Sequence, residues 1–186
     1  MIGAADRASP VQTEAVIIER HDGQHAAVFR DEVAAVWRDV FGPLDLEQWT
    51  TSPWDRHRAR DGYRLVTARD AGRLVGFPWG HTGAHGQYWT DLVAARLGVA
   101  LDGWLGGHFE LVEMAVAPEA QGRGIGGALH DALLHDLPHE RALLSTATAD
   151  TAAARLYQSR GWARLGLIDA DRQVLGLRLA GRRAPA

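Results

Sequence analysis

Cysteine is absent from the 186-residue chain. That excludes disulfides, a thiolate nucleophile and Cys-ligated zinc. It says nothing about compartment, because a chain without thiols suits either redox environment. Long apolar runs are missing too. No stretch approaches the roughly 20 residues that a membrane-spanning helix needs, so no membrane partner is expected. There is no excess of positive charge: 20 basic side chains against 23 acidic ones leave a formal net charge of -3. Nucleic-acid binding, which favours a basic face, has no electrostatic support. Met1 to Pro10 carries Asp6 and Arg7 among small residues and lacks the charged-then-apolar order of a secretory signal. A cytoplasmic protein is the expectation.

With 46 % hydrophobic and 23 % charged residues, the composition is that of a globular protein with a sizeable core. The length suits one domain, set at residues 13–180 between a loose leader, 1–12, and a tail, 181–186. Glu14 to Glu19 is a short β-branched strand candidate. Between Gln24 and Val40, apolar residues recur at helical spacing until Phe41-Gly42-Pro43 stops them. Leu44 to Arg60 reads as a second helical region with a break at Ser52-Pro53. Tyr63–Ala68 and Arg73–Gly80 form a hairpin about Asp70-Ala71-Gly72. A flexible loop, Gly80 to Gly86, leads to a helix at Tyr88–Leu97 and a Gly-rich connection to Gly107. Residues 81–107 are expected to make an excursion over the active-site face. Strand Phe109–Val116, a helix opened by Gln121–Gly127 and running to Leu137, strand Ala142–Ala147, helix Thr151–Arg160 and strands Trp162–Ile168 and Gln173–Leu179 complete a mixed α/β layer architecture.

The stretch Glu110 to Leu137 carries the chemistry. A strand ends at Val116, a proline bend follows, and a Gly-rich turn opens a helix. The first helical turn has N–H groups with no intrahelical partner, and the helix dipole adds partial positive charge there. Gly122, Gly124 and Gly126 have no Cβ, so an anion can approach those groups: a phosphate cradle. Arg123 adds charge if it points inward; alternatively the glycines only make a tight turn. Gly122, Gly124 and Gly127 also satisfy the dinucleotide fingerprint G-x-G-x-x-G. Against that reading, Ala117 to Gln121 separate the turn from its strand, and the strand carries Glu110 and Glu113. The unit normally opens its domain, whereas here most of the chain precedes it.

The run Val116-Ala117-Pro118-Glu119-Ala120-Gln121-Gly122-Arg123-Gly124-Ile125-Gly126 resembles the signature of the GCN5-related N-acetyltransferases, V-x-P followed by Q/R-x-x-G-x-G/A. A second stretch, Asp150 to Trp162, is similar to the family pattern N-x-x-A-x-x-L-Y-x-x-x-G-F. Ala153, Leu156, Tyr157 and Gly161 match, while Asp150 replaces Asn and Trp162 replaces Phe. The Asp150 carboxylate lacks the amide's donors, which weakens a contact to the cofactor arm. The resemblance implies a mainly antiparallel mixed sheet of about 6–7 strands with helices on both faces. It implies acetyl-CoA as donor, with pyrophosphate on the turn Gln121, Gly122, Arg123, Gly124, Ile125, Gly126 and Gly127. The pantetheine arm would run along the backbone of Met114, Ala115 and Val116, with Asp150, Ala153 and Tyr157 beside it. It also implies that Tyr157 donates a proton to the departing thiolate.

Amine acetylation needs a base, because an alkylammonium is not a nucleophile. Glu110 and Glu113 are the candidates, unusual in an otherwise apolar strand. Three residues apart, they point to opposite faces unless a bulge intervenes. The family's common acid at the position of Glu110 favours it; Glu113, or neither, stays open. His130, His135 and His139 do not align as metal ligands, and a solvated helix face accounts for them. No metal is expected. His81, His85 and His108 are candidate pocket residues or packing groups. Trp49, Trp54, Trp79, Trp89 and Trp104 make either an aromatic acceptor wall or ordinary core. The expected function is acetyl transfer to a primary amine of a small molecule or peptide, by a monomer or homodimer. A longer-chain acyltransferase and a non-catalytic CoA-binding module are the alternatives.

Overall fold

The computed structural model describes residues 15–179. The leader at 1–12, the tail at 181–186 and Glu14 lie outside them. Seven strands form one sheet in the order β1-β2-β3-β4-β5-β7-β6. In chain order these are β1 Ile17–His21, β2 Arg64–Asp70, β3 Arg73–Gly83, β4 His108–Val116, β5 Arg141–Ala147, β6 Ala163–Leu167 and β7 Arg172–Arg178. Every neighbouring pair is antiparallel except β4 and β5, which run parallel. The helices are α1 Arg30–Phe41, α2 Leu46–Trp49, α3 Asp55–Arg58, α4 Tyr88–Leu97, α5 Ile125–Leu134 and α6 Ala152–Ser159. Among the described residues no helix is long and apolar enough to cross a membrane.

Local chemistry explains the punctuation. The β2–β3 turn places both Ala71 (φ 47°) and Gly72 (φ 77°) in the left-handed region, which suits a two-residue hairpin. Gly42 (φ 97°) ends α1, its N–H on the Arg38 carbonyl. The helical spacing from Gln24 resolves into a 3₁₀ turn, His25–Phe29, before α1 begins. The expected break at Ser52-Pro53 does not occur. A π-turn, Thr50–Trp54, joins α2 to α3, and its i→i+5 spacing accommodates a proline that has no N–H to donate. The loop expected from Gly80 is also corrected: β3 continues to Gly83, pairing with His108.

Helices cover both faces of the sheet. On one, α5 and α6 bury Leu129, Leu133, Tyr157 and Trp162 against Phe109, Leu111, Ala142 and Leu144. On the other, α1 to α3 pack on β2–β4, and α4 with its Gly-rich connection packs on β5–β7 through Val93, Leu101, Leu143 and Val174. Residues 81–107 thus divide: the first three finish β3, and the rest cover that second half of the sheet.

Two irregularities set up the site. β4 and β5 pair only at Phe109↔Ala142 and Glu110↔Leu143, then diverge. Past Glu110 the β5-facing edge of β4 has no strand on it. Opposite, the β3–β4 register shifts at Trp79/Gly80, so Trp79 faces Glu113 while Gly80 faces Leu111. This bulge inserts one residue into β4, so Leu111 and Met114, three apart, both pack toward α5. Gly80 lies at the shift. A Cβ there would stand 2.4 Å from the Glu110 carbonyl oxygen and 2.5 Å from the Phe109 ring. Gly80→Ala is expected to cost about 1–3 kcal/mol by overpacking, read as a lower urea midpoint at unchanged m-value.

Candidate active site

The divergence of β4 and β5 opens a cleft of about 370 Å³, lined by Met114, Ala115 and Val116, the turn from Ala120 to Gly126, and Ala152, Ala153 and Leu156 of α6. Val40 and Phe41, from the end of α1, close one side. The turn is shaped for close approach. Gly122 (φ 74°) and Gly124 (φ 81°) are left-handed, and nothing lies within 4 Å of where a Cβ would stand on either. Gly124 caps α5 without a side chain, which leaves the helix's first N–H groups facing the cleft mouth. Gln121 Nε2 donates to the Val116 carbonyl at 2.9 Å, tying the turn to the end of β4. A Cβ on Gly126 would make ordinary contacts with Met114, Val116 and Leu156 at 3.8–3.9 Å, so this position faces the cleft's apolar side without being crowded.

Not every residue named from the sequence lines this cleft. Arg123 turns away and pairs with Asp70 on the β2–β3 hairpin. Gly127 faces the Arg160 guanidinium, which crosses α5 to reach Asp131 at 2.7 Å. Asp150 is exposed and pairs with Arg155 at 2.9 Å. Tyr157 is 6 % exposed, one turn of α6 deeper than Ala153.

The bulge brings Glu110 and Glu113 to one face of β4. Glu113 accepts from Trp37 Nε1 on α1 at 2.7 Å. Glu110 stands beside its cross-strand partner His81, on the side of α3. Burial pushes each carboxyl up to about 7; the Trp37 bond opposes this at Glu113 and the nearby Arg60 charge opposes it at Glu110. Glu110 Oε2 is buried with no hydrogen-bond partner among the described residues. Across the cleft, burial and then the Glu113 charge push the Tyr157 hydroxyl up to about 12.

The helix expected to run to Leu137 ends at Leu134, and the histidines on and after it differ from expectation. His135 is exposed, but His130 is 3 % exposed and His139 8 %. His130 Nε2 accepts from Trp162 Nε1 at 2.9 Å, so Nδ1 carries the proton facing Asp131. The Trp162 and His130 rings flank Tyr157 at 5.8 and 6.3 Å. Among the described residues no cluster could hold a metal ion. Trp49 and Trp54 stack on each other and both meet Trp79 edge-on in the core. Trp89 and Trp104 pack at the margin of the α4 cluster. The sequence reading passed over Trp37, Val40 and Phe41; their only signal was an apolar stripe, which also describes core.

The acetyltransferase (GNAT) family model matches residues 29–162, spanning α1, the turn and α6. The chain belongs to the GNAT family. A GCN5-like protein acetyltransferase of Mycobacterium tuberculosis is 36 % identical over 98 residues, 48 % of either chain. A mycothiol acetyltransferase of Thermobispora bispora is 34 % identical over 123 residues, 64 % of this chain and 35 % of that one. The chain therefore spans about half or less of these relatives. Among solved structures, a Pyrococcus horikoshii protein superposes with TM-score 0.65 at 17 % identity, over 89 % of this chain and 99 % of that one. The PaiA N-acetyltransferase of Thermoplasma acidophilum, in complex with coenzyme A, gives 0.58 at 11 % identity, with the same coverage of each chain. At these identities the likeness shows a shared GNAT fold.

Proposed function

We propose that this GNAT protein moves an acetyl group from acetyl-CoA to a primary amine. The observation that carries the reading is the cleft itself: an unpaired strand edge, Met114–Val116, leads from a left-handed glycine turn toward two carboxyls and a tyrosine. The fit to acetyl-CoA is physical. Open space at Gly122 and Gly124 and free N–H groups at the start of α5 suit a pyrophosphate. The β4 edge offers backbone groups to an amide-bearing arm, and Val40, Phe41, Ala153 and Leu156 give it an apolar wall. Bound there, acetyl-CoA supplies an activated thioester.

The chain's own groups do the rest. Glu110 takes the proton of the incoming ammonium through its unpartnered oxygen. Glu113, with one oxygen held by Trp37, is the more fixed carboxyl and fills a positioning role. Tyr157 remains protonated at neutral pH, because burial and Glu113 both disfavour its anion. It is the proton donor for the departing thiolate. Tyr157→Phe is expected to lower kcat by about 10²-fold and leave acetyl-CoA affinity unchanged. Thiol release with an amine acceptor reads the first, and calorimetry the second. Equal kcat in the two proteins would remove Tyr157 from the mechanism.

A further inference from the structure

Beyond the cofactor cleft lies a second group of side chains with unmet chemistry. The sheet face carrying Glu110 also carries His81, its cross-strand partner, and His108, two residues before it. Two walls rise from this floor. On one side stand His57 of α3, its ring 5.1 Å from that of His81, and Arg60. On the other stand Gln87, Trp89 and Thr90 at the start of α4. Gln87 Nε2 donates to the Thr82 carbonyl at 3.2 Å, and the Trp89 ring lies 6.1 Å from that of His108.

Arg60 is anomalous within the fold. Two other half-buried arginines are held by backbone oxygens. Arg64 donates to the carbonyls of Leu133 and His135 at the end of α5. Arg141 donates to those of Trp104, Leu105 and Gly106. Arg60 makes one side-chain hydrogen bond among the described residues, to His81 Nε2 at 2.8 Å. Arginine only donates, so that nitrogen accepts and the ring proton sits on Nδ1, facing the Thr82 carbonyl at 3.1 Å. The partner is therefore a neutral imidazole. No carboxylate forms an ion pair with Arg60 among the described residues; burial lowers its pKa, and the nearby Glu110 charge opposes this. Its remaining donors meet no acceptor among the described residues and stay open to an incoming group.

The surroundings indicate what completes it. Burial pushes His57 down to about 4, His81 to about 3 and His108 to about 4, so at neutral pH these rings carry no charge. Arg60 is then the positive charge that bears on Glu110, the carboxyl assigned as base, while Arg56 also bears on His57 and Arg141 bears on His108. The opposite wall and the adjoining floor hold buried hydrogen-bonding atoms with no partner among the described residues: Gln87 Oε1 and Thr90 Oγ1, and both ring nitrogens of His108. Such a concentration of buried, unpaired polar atoms is rare in a folded protein.

We infer that Arg60 binds an anionic group of the acceptor, a carboxylate or a phosphate, and so selects amines that carry a negative charge close to the reacting nitrogen. The inference rests on the acyltransferase reading of the site. A polycationic acceptor would be repelled by the guanidinium and is disfavoured. An amino acid or an amine phosphate would complete the guanidinium and leave its amine within reach of Glu110.

The test compares matched acceptors. Thiol release from acetyl-CoA is followed with a panel of amino acids and their methylamides, with phosphoethanolamine against ethanolamine, and with putrescine. The chain contains no lysine, so no lysine side chain of its own competes as acceptor. The expected kcat/KM is at least about tenfold higher for the anionic member of a pair. The amino acid arm and the phosphate arm separate the two sources of charge. Arg60→Gln is expected to collapse that ratio toward one, and Arg60→Lys to restore part of it. Acetyl-CoA titration of each variant reports the fold and the donor site separately. Neutral members or putrescine reacting as well as the anionic ones would overturn the inference. So would a ratio that survives Arg60→Gln, or turnover with no anionic member while acetyl-CoA still binds. Absence of acetyl-CoA binding in the unaltered protein would instead overturn the reading beneath it.

Discussion

Replacing Glu110 with glutamine is expected to lower kcat by about 10²- to 10³-fold with little change in acetyl-CoA affinity. Glutamine keeps the shape and loses the basicity. Glu110 is the last β4 residue paired to β5, at the point where the cleft opens, and one of its oxygens has no partner. The pH profile gives the sharper signature. Burial holds the carboxyl near 7, so below that pH it is protonated and cannot accept a proton. The unaltered protein's kcat/KM should rise about tenfold per unit up to about pH 7 and then level off. That limb should vanish in Glu110→Gln. Glu113→Gln should be the milder change, since that carboxyl is already tied to Trp37. A larger loss and a vanished limb in Glu113→Gln would transfer the role of base to Glu113.

Gly124→Glu is expected to weaken acetyl-CoA binding by at least about 100-fold, an effect of about 2.7 kcal/mol or more. The new carboxylate would occupy the start of α5, where the helix favours an anion, and would repel the pyrophosphate. Gly124 is left-handed at φ 81°, so a side chain there also costs about 1–2 kcal/mol of stability. Gly72→Glu is the control. Gly72 has φ 77° and open space around it, but it sits at the β2–β3 turn outside the cleft lining. It should carry similar backbone strain and leave binding intact. The rise in melting temperature on adding acetyl-CoA reads both variants. Equal loss in the two would mean that strain, and not the cradle, explains the effect.

The features legible in the sequence were those whose cause is local. Asp70-Ala71-Gly72 makes its turn because adjacent residues must be left-handed, and the turn from Gln121 to Gly126 has left-handed Gly122 and Gly124 for a similar reason. Tyr88–Leu97 was legible as a helix from its ends. Features that depend on a partner element were not. The common face of Glu110 and Glu113 comes from a bulge in the β3–β4 pairing, and only β3 supplies the register that creates it. Arg123 looked like a phosphate contact until the hairpin placed Asp70 within its reach. His130 looked like a solvated helix residue, yet Trp162, 32 positions later, buries it and fixes its tautomer. The unmet donors of Arg60 were invisible for the same reason: α3, β3 and β4 must assemble before its lack of an oxygen partner can be seen.

The most direct measurement is calorimetric titration of the full chain with acetyl-CoA and, separately, with NADH. The expected result is a single micromolar site for acetyl-CoA and no heat with NADH. Heat with NADH alone would restore the dinucleotide reading of Gly122, Gly124 and Gly127, and heat with neither would contradict the assignment of the β4–β5 cleft as a donor site.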